Sequence, residues 1–256
     1  MFVTLAIVYV GVLWVAPVSL SFYAAKTAPA VTSIVPTNLK DKSISKAPGQ
    51  KLSYLGYEFE VPWSDLDDTQ TRLYPKDNPD KTRVDLHFRL RLWVTAIPPR
   101  SWINEFSADF KVPPQRVEAS FGGSDYSFVK TLYEFAAEKM HHWTSLGRGE
   151  SREEFLLLIK SIALKKSAES GIFSIQNEHY KGFQEGNPRV HQEGIVVDLF
   201  SDEGGVKMVF SQEDYRNFTG VTQPEINRIV QSLRKVSQNE SPTPSVAQSD
   251  SQSDSQ

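Results

Sequence analysis

Residues Arg83–Val94 read RVDLHFRLRLWV. Val84, Leu86, Phe88, Leu90, Leu92 and Val94 alternate with Arg83, Asp85, His87, Arg89, Arg91 and Trp93, the period of two that sends successive side chains to opposite faces of a strand. The spacing predicts one continuous strand with an apolar face toward the core and a basic, aromatic face away from it. Such a strand needs neighbours to pair with and a layer to cover its apolar face, and both can be sought along the chain.

Upstream, Gly56–Val61 (GYEFEV) alternates Tyr57, Phe59 and Val61 with acids and is stopped by Pro62. Downstream the period changes to that of helices. About Asp125–Trp143 carries Phe128, Leu132, Phe135, Met140 and Trp143 on one side. About Arg152–Glu169 opens on Ser151-Arg-Glu-Glu154, a capping box, and ends near Gly171. Ile172–Tyr180, Val190–Phe200 and Val206–Ser211 are β-rich runs, the last two joined by SDEGG, whose glycines can take positive φ. Thr222-Gln-Pro-Glu225 is a second capping box, with Ile226, Ile229, Val230 and Leu233 as the stripe of a closing helix. Strands, helices, a strand meander and a last helix predict an α+β domain: an antiparallel sheet packed with helices.

The ends differ from this middle. Phe2–Ala25 has no charged side chain and as a helix would measure about 36 Å, enough to cross a hydrocarbon core of about 30 Å. Phe22-Tyr23 ahead of Lys26 has the order of an interfacial edge, so residues 1–26 read as a single-pass transmembrane anchor. The competing reading is a signal peptide cut after Ser21, suggested by Pro17 and the small residues Ser19 and Ser21 but lacking a basic n-region. The positive-inside rule applied to Lys26, Lys40, Lys42, Lys46 and Lys51 opposes export, whereas globular domains translocate largely regardless of charge; the domain is expected to be extracytoplasmic, or secreted if the leader is cleaved. Residues 27–51, with Pro29, Pro36 and Pro48, read as a flexible linker to a globular domain over 52–236. Residues 237–256 hold almost nothing apolar and read as a disordered tail.

Composition narrows the chemistry. With 28 Lys plus Arg against 31 Asp plus Glu the net charge is −3, without the basic footprint of a nucleic-acid binder. The chain has no cysteine, which removes disulfides, thiolate nucleophiles and cysteine-ligated metals. No P-loop, dinucleotide fingerprint or nucleophile elbow is present, so neither nucleotide nor cofactor is expected. Asp65, Asp67 and Asp68 have the spacing of a cation loop, but Gln70 and Lys76 stand where such a loop needs Gly and Glu. His141-His142 are adjacent and lie about 100° apart on a helix, not on one metal-binding face. The remaining candidates are the outward residues of the long strand: Arg83, His87, Arg89, Arg91 and Trp93, with Asp85 among them, able to hold an anionic ligand or a partner's acidic strip. A solvated sheet face, in which the arginine stems cover apolar neighbours, is the bland alternative.

The strand ending in Pro-Trp (GYEFEVPW), the late meander and the closing helix PEINRIVQSLRKV resemble the PsbP/Mog-like α/β/α sandwich. The strings EFEVPWSDLDD, SGIFSIQ, GFQEGNP and QPEINRIVQSLRKV are similar to a group of acidobacterial proteins with an N-terminal membrane segment and no known function. The resemblance covers roughly Gly56–Val236 and implies a mostly non-catalytic fold that supplies no site residues. The expected function is a membrane-tethered binding or accessory domain with a protein or envelope partner. The alternative is an extracytoplasmic hydrolase whose triad, with His179 or His191, is assembled from distant residues.

Overall fold

The computed structural model describes residues 35–75, 82–141, 171–189, 194–211 and 220–236; the apolar opening run, the helix expected over 152–169 and the polar tail lie outside them. The strands are β1 (Thr37–Asn38), β2 (Gln50–Tyr54), β3 (Tyr57–Val61), β4 (Arg72–Tyr74), β5 (Arg83–His87), β6 (Arg91–Ile97), β7 (Ile172–Gln176), β8 (Lys181–Glu185), β9 (Ile195–Ser201), β10 (Gly204–Ser211) and β11 (Arg234–Lys235). The helices are α1 (Ser101–Phe110), α2 (Pro114–Phe121), α3 (Asp125–His141) and α4 (Gln223–Ser232).

The expected single strand over Arg83–Val94 is instead a hairpin, β5 and β6 with Phe88–Leu90 as the turn. His87 pairs with Arg91, Asp85 with Trp93 and Arg83 with Thr95. A three-residue turn leaves odd-numbered residues of both strands on one face, so the alternation survives the reversal and imitates a longer strand. The acidic segment closes the turn with one side chain and one backbone group: Asp65 Oδ2 accepts the Arg89 N–H at 2.8 Å, and the backbone N–H of Asp67 donates to His87 O at 2.8 Å. The cluster Asp65–Asp68 thus ties a hairpin end. Asp67 also accepts from Thr69 and Gln70, whose hydrogen bonds hold its carboxyl below the usual range.

Eight strands form one sheet in the order β1-β7-β8-β9-β10-β6-β5-β4, antiparallel except for the parallel pair β1–β7. Three strands, β11-β3-β2, form a second antiparallel sheet. The fold is mixed α+β, a large sheet against four helices, in agreement with the expected class. On one face α1, α2 and α3 bury Ile103, Phe106, Phe121, Phe128 and Leu132 against Ile97, Phe183 and Phe200. On the other, α4 and the small sheet bury Ile226, Ile229, Phe59 and Trp63 against Leu86, Leu92, Val197, Leu199 and Met208.

Helices α1 and α2 lie in a stretch to which the sequence pattern assigned no element. Pro114 occupies the first turn of α2 and Gly122, at φ 95°, stops it. The first N–H groups of α1 find their acceptor far along the chain: Asp125, in the first turn of α3, accepts from Trp102 and Ile103 at 3.1 and 3.2 Å. Burial pushes that carboxyl up, and the N–H groups of Ile103 and its neighbours pull it back.

The stretch expected as a flexible linker is, from Thr37 onward, held on the domain. Thr37 and Asn38 pair with Phe173 and Ser174, and Gln50 and Lys51 already belong to β2. Between them α4 grips the backbone as a strap: Asn227 Nδ2 donates to Asp41 O and Ser43 O at 2.9 and 2.8 Å, the Ser45 N–H donates to Pro224 O, and Arg228 reaches Ser45 O and Ala47 O. Asn227→Ala removes two of these bonds at a net value of about 1 kcal/mol each, so trypsin cleavage at Lys40, Lys42 and Lys46 is expected to quicken by roughly tenfold or more. Unchanged cleavage would show the strap to be held by other contacts.

Candidate functional site

Because the register of β5, β6, β8, β9 and β10 is set, the polar side chains on the α1–α3 side of the large sheet can be placed. Arg83, Asp85, His87, Arg91 and Trp93 share that face, continued across β10 and β9 by Lys207 and Asp198. Arg83 lies over the Trp93 ring at 4.5 Å and over the Tyr74 ring at 5.2 Å. His87 Nε2 stands 3.8 Å from Asp85 Oδ2, and both residues are buried. The face is therefore mixed in sign, not a basic strip.

Arg89 does not join it. Free of the ladder at the centre of the turn, it swings to the opposite layer, where Nη2 donates to Glu225 Oε1 at 2.6 Å and the guanidinium lies 5.9 Å from the Trp63 ring centre. Of the five residues expected to act together, four are brought onto one face and the fifth braces α4.

Deeper on the same face lies a group for which the sequence offered no local signal. Asp198, on β9, is buried. Its Oδ2 is 3.6 Å from Lys207 Nζ, and its Oδ1 has no hydrogen-bond partner. Burial drives its carboxyl up to about 6, a rise that Lys207 opposes and Glu185 reinforces. Beside it Tyr133 of α3 donates a short hydrogen bond to Glu185. Burial, with Glu185 adding to it, holds the Tyr133 hydroxyl well above the ordinary tyrosine range. Among the described residues Arg83 Nε, Asp85 Oδ1 and Trp93 Nε1 are likewise buried without hydrogen-bond partners.

The other polar site is a groove at the edge of the sheet. β1 covers only two residues of β7, after which the strap leaves toward α4; β7, β8, α4 and the strap enclose a cavity of about 470 Å3. Amides line it from several elements, Asn38, Gln176, Asn177, Gln184, Asn227 and Gln231, together with Ser174, Tyr126, Lys42 and Lys181. Part of this wall is already bonded inward: Gln184, which is fully buried, exchanges hydrogen bonds with Gln223, and Gln223 donates to Asn227. Asn38, Gln176 and Gln231 are exposed at the rim. Tyr126 is fixed by stacking on Phe183, 5.3 Å between ring centres and 5° between planes. No Asp or Glu lines this cavity, and among the described residues neither Lys42 nor Lys181 has an ion-pair partner.

A larger, open hollow of about 830 Å3 borders it and holds His179 together with Ser124, Ser127, Ser201, Glu178, Asp202 and Glu203. These are the residue types of a hydrolytic triad, yet the geometry does not connect them. Ser201 Oγ donates to Gly204 O and Ser124 Oγ to Ser127 Oγ, and among the described residues no serine or carboxylate is hydrogen-bonded to the His179 ring. His191 lies outside the described residues. Among the described residues there is also no group of three His, Asp or Glu positioned to share a metal ion.

No protein-family model, curated protein or solved structure matches this chain. The surfaces themselves are what bears on function.

Proposed function

We propose that this protein is a membrane-tethered binding or accessory domain, acting without catalysis, whose binding surface is the groove between the strap, the β7–β8 edge and α4. The observation that carries this reading is the groove: about 470 Å3 lies within the range of roughly 300–1,000 Å3 typical of small-molecule sites. Its described walls offer amides, hydroxyls and two lysines but no histidine or carboxylate to serve as a base. Chemical-shift mapping with a library of sugars, sugar acids and short peptides is expected to move the amide signals of Gln176, Lys181 and Asn227. A library that moves none of them removes the groove from consideration.

Within the α+β class we assign the domain to the PsbP/Mog-like sandwiches, and by its sequence strings to the acidobacterial group named above. What supports this is the order of elements around a mainly antiparallel sheet with helices on one face and a closing helix on the other. We further assign residues 1–26 to a single-pass anchor, with the domain on the extracytoplasmic side. Its support is the uncharged run Phe2–Ala25 alone, since among the described residues no helix is long and apolar enough to cross a membrane. Fractionation with N-terminal sequencing tests it: the intact start is expected in the membrane fraction, and a soluble chain beginning at Phe22, or at Val31 after the small residues Ala28-Pro29-Ala30, overturns the anchor.

The sheet face holding Arg83, His87, Arg91 and Trp93 is the second binding surface, favoured by the buried Arg83 Nε and Trp93 Nε1 that lack acceptors. A ligand or partner supplying acceptors there would be lost on Arg83→Gln with Arg91→Gln. Pull-downs unchanged by that pair of substitutions would remove this surface.

A further inference from the structure

We infer that the groove takes a small molecule carrying an acidic group, phosphate or carboxylate, on a hydroxyl-rich body; this rests on the groove being the binding surface. Charge is the first ground. The chain as a whole is net negative at −3, yet the described walls of the cavity at the sheet edge include two lysines and no Asp or Glu. Lys42 comes from the strap and Lys181 from the start of β8, so two elements far apart in sequence deliver like charges to one hollow. Some surface lysines are paired with acid, as Lys235 is with Glu203 at 3.1 Å and Lys130 with Glu134 at 3.5 Å, whereas among the described residues these two are not. Both lysines are exposed, and although Lys181 also borders the hollow that holds Glu178, Asp202 and Glu203, an anion entering the groove meets two like charges at its walls.

The type of cation narrows the ligand further. Among the described residues no arginine lines the cavity, so its walls present no planar fork to demand a bidentate partner. A lysine acts as a point charge that serves carboxylate and phosphate alike. The shared requirement is therefore one compact acidic group.

The remaining walls describe the body of the ligand. The exposed rim amides Asn38 and Gln176 each offer both a donor and an acceptor, as does the hydroxyl of Ser174, while Gln231, whose Nε2 donates to Gln176 O at 2.9 Å, keeps its side-chain oxygen as an acceptor. Leu39, Ile44 and Val230 add an apolar strip, and Ile44 is 51% exposed beside it. A pyranose ring has this division of surface: hydroxyls around its edge that both donate and accept, and a C–H face for the apolar strip. A purely apolar acid would leave the amides without partners, at a cost of about 1–3 kcal/mol for each one desolvated.

Titration calorimetry of the purified full chain with glucuronate, glucose 6-phosphate and glucose, at low and high salt, tests the inference. Both acidic sugars are expected to bind more tightly than glucose, by about tenfold or more, with the difference shrinking as salt rises. Lys42→Gln combined with Lys181→Gln is expected to weaken the acidic sugars by about tenfold, two exposed charge contacts of up to about 1 kcal/mol each, and to leave the melting temperature unchanged because neither lysine has an ion-pair partner among the described residues. Binding of only one acidic sugar identifies which acidic group is taken and upholds the inference. Glucose binding as well as the acids, or an unchanged double variant, overturns the acidic-group requirement while keeping a ligand groove. Heat from none of the three at millimolar concentration, with no shift at Gln176 or Lys181, overturns the inference and the groove reading together.

Discussion

Glu225→Ala is expected to destabilise the domain by about 3 kcal/mol, a fall in melting temperature of roughly 6–12 °C for a domain of this size. The carboxylate is 8% exposed and its two oxygens serve four donors. Oε1 accepts Trp63 Nε1 at 2.9 Å and Arg89 Nη2 at 2.6 Å; Oε2 accepts the Thr222 N–H at 2.7 Å and its hydroxyl at 2.9 Å. Removing it undoes the start of α4, worth about 1 kcal/mol, and strands the buried Trp63 N–H at about 1–3 kcal/mol. Arg89 adds less, because its side chain is 41% exposed and water replaces the lost partner. Glu225→Gln keeps the shape and two acceptor lone pairs but turns one end into a donor, so it is expected to cost about half as much. Urea unfolding of the two variants measures both, and equal losses would show that charge and acceptor count, rather than shape, matter at this position.

Asp198→Asn is expected to do the reverse and stabilise the domain above pH 7, by up to about 3 kcal/mol. The physical cause is a folded-state carboxyl near 6 against an ordinary value of 3.8, produced by burial that Lys207 at 3.6 Å only partly offsets. Native protein holds a proton on Asp198 in a window where the unfolded chain has already released it. The contribution is fully present below about pH 4 and is lost as pH rises through about 6. Wild-type stability should therefore fall across that window relative to the variant. Asp41, Glu60 and Asp67, whose hydrogen bonds to Ser43, Arg228 and Thr69 lower their carboxyls, act with opposite sign and at lower pH. Both proteins contain them, so they cancel in the difference. Parallel stability curves for wild type and variant from pH 4 to 8 would show that Asp198 is charged at little cost and that Lys207 neutralises it better than the distance suggests.

These two carboxylates also illustrate what was legible in the chain. The role of Glu225 as the N-terminal bracket of α4 follows from Thr222-Gln-Pro-Glu225, because a capping box is a local pattern. Its bonds to Trp63 and Arg89 do not follow, since those residues arrive from distant loops. The buried face of the β5–β6 hairpin was legible, but the turn was not, because Phe88–Leu90 contains neither glycine nor proline and keeps the parity of the alternation. β8 (KGFQE) escaped because its inward positions on the α4 side are Gly182, which has no side chain, and Gln184, which is polar but satisfied by Gln223. Gly182 is small for a reason of its own: an added Cβ would collide with the Asp198 carbonyl on β9. The start and stop of α2 were written in Pro114 and Gly122, whereas α1 borrows its N-terminal acceptor from Asp125.

The groove had no sequence signature for a similar reason. The strap is held through its own carbonyls, at Asp41, Ser43, Ser45 and Ala47, by Asn227 and Arg228. Every residue type presents a carbonyl, so a docked segment of this kind has the composition of a linker. Of the expected anion-binding set, Arg83, His87, Arg91 and Trp93 were legible as neighbours from period alone, and Arg89 was misplaced because a turn residue is not bound by that period.

The parallel pairing of β1 with β7 has a mechanical consequence if residues 1–26 are held in a bilayer. A free chain as far as Lys51 would let the domain roam far from the surface, whereas docking at Thr37 leaves a leash from Lys26 that spans at most about 40 Å at roughly 3.5 Å per residue. The leash also ends at the groove, since Asn38 lines it. The mouth of the cavity is then confined to the layer of solution next to the membrane, where a surface-bound molecule meets it at a local concentration set by the leash and not by the bulk.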